Sequence, residues 1–254
     1  MLSILLALLS GLVVAAAFKL SFVHSYWGVV PPGLIAFVVA AALLFRRAGA
    51  RLEPMMKSVE KHLAGGRREL AIKALQDGLA LGRWHPLLPG QLHAQIGAIE
   101  YVAGNLDKAE SELSRASRWP WVSRAFLGCV HFKRKDEKKM RQAFDVAVKV
   151  GKKEGIAWTL YAYCMIARGQ REEAIKLLEQ GLKNLPNDHR LQTNLELAKE
   201  GKKLKTAPYG EAWARFALDG EGPAAPRAAG GAQLPAWARG YNPRPGFRQK
   251  PKKR

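Results

Sequence analysis

Residues 155–188 read GIAWTLYAYCMIARGQREEAIKLLEQGLKNLPND. Large and small apolar residues recur at helical spacing on both sides of a break. Trp158-x-x-Tyr161-Ala162-x-x-Met165 precedes Gly169, and Ala174-x-x-x-Leu178 follows it. Residues three and four apart share one face of a helix, so each half is a helix with an apolar stripe to bury. Gly169 ends the first helix and lets the chain reverse. Asn184-Leu185-Pro186-Asn187-Asp188 ends the second and starts another. Ala162 and Ala174 fall where the two antiparallel helices cross, and their small size lets the backbones approach. A lone helical hairpin cannot cover its own apolar face, so neighbours of the same kind are expected.

They are present in phase. Thirty-four residues before Ala174 stands Met140, and Arg124-x-x-Leu127-Gly128-x-x-His131 precedes Met140-x-x-x-Phe144. A step of 31 reaches Ala109, where His93-x-x-Ile96-Gly97-x-x-Glu100 leads to Ala109-x-x-x-Leu113. A step of 38 reaches Ala71, with Gly66 before it and Leu75 and Gly78 after. The length differences fall in the connectors 118–121 and 82–86. Four units result, at about 52–86, 89–120, 121–154 and 155–188. Residues 189–203 form one more amphipathic helix, suited to cap the stack with a polar outer face. The pattern resembles the tetratricopeptide repeat, a 34-residue helix–turn–helix, although Met140 and Lys152 replace its usual small residue and proline. The resemblance implies an all-α solenoid of about four helix pairs and a capping helix over roughly residues 52–203.

Such arrays line a concave face with their first helices and use it to bind protein segments. In this frame the expected partner-binding groove comprises Tyr101, Phe126, Phe132, Thr159, Tyr163, Ile166, Arg190 and Asn194. The family's carboxylate-gripping Lys, Arg and Asn are mostly replaced here by Ala, Phe, Leu or Thr. An apolar groove suits a helix or an extended peptide anchored by large side chains. Any one of these aromatics, taken alone, can equally be core.

The beginning of the chain is different in kind. Residues 1–45 contain one cation, Lys19, and no acid. The uncharged runs Leu2–Phe18 and Trp27–Phe45 cover about 25 and 28 Å as helices, near the ~30 Å of a bilayer core. A transmembrane hairpin over 1–47 is therefore expected, with spans at about 2–22 and 27–45. A cleaved signal peptide ending near Ala15-Ala16-Ala17, followed by one span, is the competing reading. Arg46, Arg47, Arg51, Lys57 and Lys61 follow the second run, which orients both termini to the cytoplasm of a bacterial inner membrane.

The whole chain of 254 residues has a net charge of +20. Residues 133–153 hold nine cations and three acids, read as a solvated face or a contact for anionic lipid. Residues 204–218 place Tyr209, Trp213 and Phe216 at helical spacing, forming a short helix that docks on the cap or in the chain's own groove. Residues 219–254, rich in Pro, Gly, Ala and Arg, are expected to be disordered. Their aromatic and cationic alternation could grip RNA, but lipid contact or a solubilising role is favoured and nucleic acid disfavoured. The six histidines and two cysteines, Cys129 and Cys164, never reach metal-ligand spacing. No phosphate loop, acid–base pair or nucleophile stands out, so no metal, cofactor or enzymatic activity is expected. The function expected is a membrane-anchored adaptor that recruits a protein on the cytoplasmic face. The alternatives are a membrane-tethered regulator binding RNA or ribosomes through the tail, and an accessory subunit of a biosynthetic enzyme complex.

Overall fold

The computed structural model describes residues 2–21, 26–83 and 87–218. Among them the chain is all helical and contains no strand. The helices are α1 (Leu2–Ser21), α2 (Tyr26–Ala64), α3 (Arg68–Gly78), α4 (Leu88–Val102), α5 (Leu106–Arg115), α6 (Trp121–Lys133), α7 (Glu137–Val150), α8 (Gly155–Ala167), α9 (Arg171–Asn184), α10 (His189–Lys199) and the short α11 (Glu211–Ala214). Short 3-10 turns at Leu79–Arg83 and Ala207–Tyr209 precede α4 and α11.

From α2 onward the helices pack as antiparallel pairs, α2 with α3, α4 with α5, α6 with α7, and α8 with α9. The first helices α4, α6, α8 and α10 also pack in succession, side by side. The repeat is visible in backbone geometry. Gly66, Gly104, Lys135, Gly169 and Gly201 all have positive φ just past a first helix. One residue later, the amides of Arg67, Asn105, Asp136, Gln170 and Lys202 donate to the carbonyls of His62, Glu100, His131, Met165 and Leu197 at 2.8–3.0 Å. This closure satisfies carbonyls that a helix end otherwise leaves unpaired. Because α10 ends in the same way, it has the closure of a first helix, and among the described residues a full-length second helix does not follow it.

Side-chain packing repeats at the same interval. A methyl on Gly97 would meet Leu113 at 2.6 Å, and one on Gly128 would meet the Phe144 ring at 2.6 Å. The equivalent residues in the last unit, Ala162 and Leu178, are fully buried. Ala71, Ala109, Met140 and Ala174, the residues that set the phase, are also fully buried. A small residue on the first helix thus faces a large one on the second, which fixes the depth of each hairpin. Asp136 and Asp188 cap α7 and α10 by accepting from backbone amides at 3.0–3.2 Å.

The N-terminal region departs from the expected boundaries. The second apolar run and the first repeat helix are one continuous helix, α2, of 39 residues, about 58 Å long at 1.5 Å per residue. The boundary drawn at 47–52 followed a change in composition, and helical hydrogen bonding continues through it. α1 folds back on α2. Its small residues Ala7 and Gly11 face inward, while Leu5, Leu6, Leu8, Leu9, Leu12 and Val13 on α1, and Leu34, Ile35, Val38, Val39 and Leu43 on α2, lie 42–66 % exposed. Among the described residues, no helix is long and apolar enough to cross a membrane. The spans expected at 2–22 and 27–45 are therefore not supported by the described structure. The side chains of residues 17–33, with Lys19, Tyr26 and Trp27, lie outside it. The tail 219–254 and the loop 84–86 also lie outside the described residues.

Candidate partner groove and its occupant

Residues 205–218 lie across the first helices and run from α10 back to α4. At one end Asn194, fully buried on α10, grips the backbone of Lys205. Its side-chain amide donates to the Lys205 carbonyl at 3.2 Å, and its oxygen accepts from the Lys205 amide at 2.7 Å. Next, the Tyr209 hydroxyl pairs with Thr159 Oγ1 on α8 at 2.8 Å, and the Arg190 guanidinium lies over the Tyr209 ring at 5.0 Å. Trp213 and Tyr163 meet in a T-shaped contact, 5.2 Å between ring centres. Phe216 inserts between α4 and α6, 4.8 Å from Phe126 and 6.5 Å from Trp121. The Tyr101 hydroxyl donates to the Phe216 carbonyl at 2.5 Å. Tyr209, Trp213 and Phe216 are buried, at 8 %, 5 % and 2 % exposure.

Six of the eight groove residues expected from sequence, Tyr101, Phe126, Thr159, Tyr163, Arg190 and Asn194, therefore surround this one segment. The structure places Phe132 elsewhere, under the guanidinium of Arg168 at 5.1 Å, and Arg168 Nη2 donates to the Phe132 carbonyl at 2.6 Å. Ile166 is half-buried against the same core. Sequence reasoning did not single out Trp121 or Lys133. Trp121 lies at the start of α6, facing Phe216. Lys133 Nζ sits 4.3 Å from the centre of the Tyr101 ring. The signal for Trp121 was its place in the Arg118–Trp121 connector, which was read for length alone.

The occupying segment differs from its expected form. The short docking helix predicted over 204–218 is a 3-10 turn and a four-residue helix. Gly210, at φ +52°, separates the two. Helical spacing of the aromatics suggested one helix, and the glycine prevents it. The start of the segment lies on α10, and the remainder lies along α8, α6 and α4.

Electrostatics in the groove favour neutral hydrogen-bonding groups. Burial pushes the Tyr101 phenol far above its usual range, with Cys129 and Cys164 nearby adding to the effect. Burial also raises Tyr209, opposed by its bond with Thr159. Both hydroxyls are therefore protonated and able to donate at neutral pH. Burial lowers Lys133, whose ammonium rests on an aromatic face. Cys129 and Cys164 are fully buried free thiols, and burial holds Cys164 well above its usual value, so it behaves as a small apolar side chain. Among the described residues no three His, Cys, Asp or Glu side chains converge to hold a metal.

The cationic stretch 133–153 stitches units together. Arg134 reaches Asp107 and Glu110 of the preceding unit, and Arg141 reaches Glu173 of the next at 2.5 Å. Lys139 lies 3.5 Å from Glu110. These pairs account for three of the nine cations as inter-unit contacts.

The family model of the tetratricopeptide repeat matches residues 155–199, the span of α8, α9 and α10. The chain thus contains a tetratricopeptide repeat at the unit where the sequence pattern is clearest, and such repeats indicate a protein-interaction role. No curated protein matches the chain.

Proposed function

We propose that the chain is a membrane-anchored adaptor whose first-helix groove binds a segment of a partner protein. The main support is the groove's chemistry: Asn194 grips a peptide backbone and Tyr101, Phe126, Thr159 and Tyr163 receive aromatic anchors. That combination pairs sequence-independent backbone bonds with side-chain pockets, as peptide recognition requires. The groove carries no set of catalytic groups, so the role proposed is recruitment without chemistry.

Membrane attachment is proposed for the α1–α2 hairpin. Its support is the inverted pattern, with Ala7 and Gly11 inside and leucines, valines and isoleucine outside. Small residues at a helix contact with large apolar residues facing outward suit lipid as the surrounding solvent. In water, an apolar surface that large marks an interaction site. Arg46, Arg47, Arg51, Lys57 and Lys61 after the second run favour a bacterial inner membrane with the repeats on the cytoplasmic side, where they also suit contact with anionic headgroups.

Two experiments test the reading. Alkaline carbonate should leave the full chain with the membrane pellet, and release of the intact chain would refute the anchor. The double variant Tyr163→Ala/Arg190→Ala, at two groove positions that are not fully buried, should lose a dominant crosslinked partner while keeping wild-type helicity by circular dichroism. Undiminished crosslinking would refute the groove.

A further inference from the structure

We propose that residues 205–218 are a displaceable occupant of the groove, and that the partner presents a segment of the same chemistry: an aromatic triad spaced as Tyr-x3-Trp-x2-Phe, read together with an internal peptide backbone. This rests on the adaptor reading and names the partner class for the same site.

The manner of attachment carries the inference. The segment's own amides are satisfied locally: Tyr209 donates to Thr206, Gly210 to Ala207, Trp213 and Ala214 to Gly210, and Phe216 to Trp213. Backbone links from the segment to the array lie at its two ends, Lys205 on Asn194 and Phe216 on Tyr101. Between those ends it is held by side chains. It is therefore laid on the array rather than woven into it. Departure exposes Asn194 and Thr159 in an open groove where water can replace the lost bonds, so their loss does not leave polar atoms stranded in a dry core. Ala217, at φ +44°, holds a backbone conformation that an L side chain disfavours, and this strain is released when the end lifts.

The same contacts define what can replace it. Asn194 offers one donor and one acceptor to a backbone and tests no side chain. Thr159 with Arg190 selects a ring bearing a hydroxyl. Tyr163 receives a large ring in a T-shaped contact, and Phe126 with Trp121 takes a third ring three residues further on. At the far end Tyr101 donates to a carbonyl within the chain, so the recognised segment is internal rather than a free C-terminal carboxylate.

The test uses the full-length chain in detergent micelles and a fluorescein-labelled synthetic peptide of residues 205–218 as probe. In the variant Tyr209→Ala/Trp213→Ala/Phe216→Ala the chain's own anchors are gone. This variant should bind the peptide at least tenfold more tightly than wild type, where the groove is filled. Adding Asn194→Ala should weaken that binding several-fold, and a peptide with the three aromatics changed to Ala should not bind. No binding to a variant that keeps wild-type helicity, or equal binding to both proteins, would overturn the proposal. Should the triple variant fail to fold, hydrogen exchange on the wild-type chain decides. Amides of 205–218 that exchange well ahead of those in α8 support displacement, and exchange only together with α8 makes the segment core and overturns it. A wild-type dimer that dissociates in the triple variant would also overturn it, by making a second copy the partner. Peptide failure with groove-dependent crosslinking intact removes this proposal alone. Peptide success without any groove-dependent partner removes the adaptor reading alone.

Discussion

Gly128 and Lys135 sit a turn or two apart and make opposite predictions. A methyl on Gly128 would lie 2.6 Å from the Phe144 ring, closer than carbon atoms pack, so α6 and α7 must separate. Gly128→Ala should cost about 1–3 kcal/mol, the usual range for overpacking, seen as a lowered midpoint in thermal unfolding. Lys135 occupies the slot held by Gly169 one unit later and adopts φ +62°. Lys135→Gly should stabilise by about 0.5–1 kcal/mol, because left-handed strain outweighs the glycine's entropy. At this scale the sequence was informative where residue size sets the contact. Gly128 and Ala162 were legible as small residues at a crossing. Lys135 was not, since a lysine does not announce a left-handed turn; only the 34-residue phase relating it to Gly169 does.

Between elements, α7 and α9 are joined through Arg141, which bonds Glu137 at 3.1 Å and Glu173 at 2.5 Å, with Gln170 also donating to Glu137. Gln170 and Arg141 hold Glu137 below its ordinary value, and Arg141 does the same for Glu173. A carboxylate lowered in the folded state contributes stability above its unfolded value of 4.5, and loses that contribution as pH falls through the lower folded value. The thermal midpoint should therefore fall between pH 5 and pH 3 more steeply in wild type than in Arg141→Ala. Identical slopes would show that the network adds nothing. These pairs are exposed, so the difference should be small and should shrink in high salt. Sequence showed the cationic run but not its inter-unit partners, which lie 24–32 residues away along the chain. Element boundaries were similarly limited. α2 crosses a sharp change from apolar to charged residues at Arg46 without a break, because composition changes a helix's solvent and leaves its hydrogen bonding alone. The helical spacing of Tyr209, Trp213 and Phe216 suggested a single helix, and Gly210 between them divides it.

Over the whole molecule, a 58 Å helix joins an inside-out apolar hairpin to a stack of repeats, and the chain's own residues 205–218 fill the groove of that stack. Phase located the helix pairs, because stacked units must keep their small and large residues in register, and it named six residues that the structure brings around the chain's own segment. The segment 204–218 is marked by its aromatic spacing and not by phase, and that spacing leaves open whether it docks on the cap or in the groove, since that depends on where the chain returns after α10. The central claim is that this groove recognises another protein when its own segment leaves. A photocrosslinking amino acid in place of Tyr163, in the full-length chain within cells, tests it most directly. The account predicts a crosslink to a distinct protein whose yield rises when Trp213 and Phe216 are changed to Ala. Crosslinks confined to the chain itself, both with and without those changes, would contradict it.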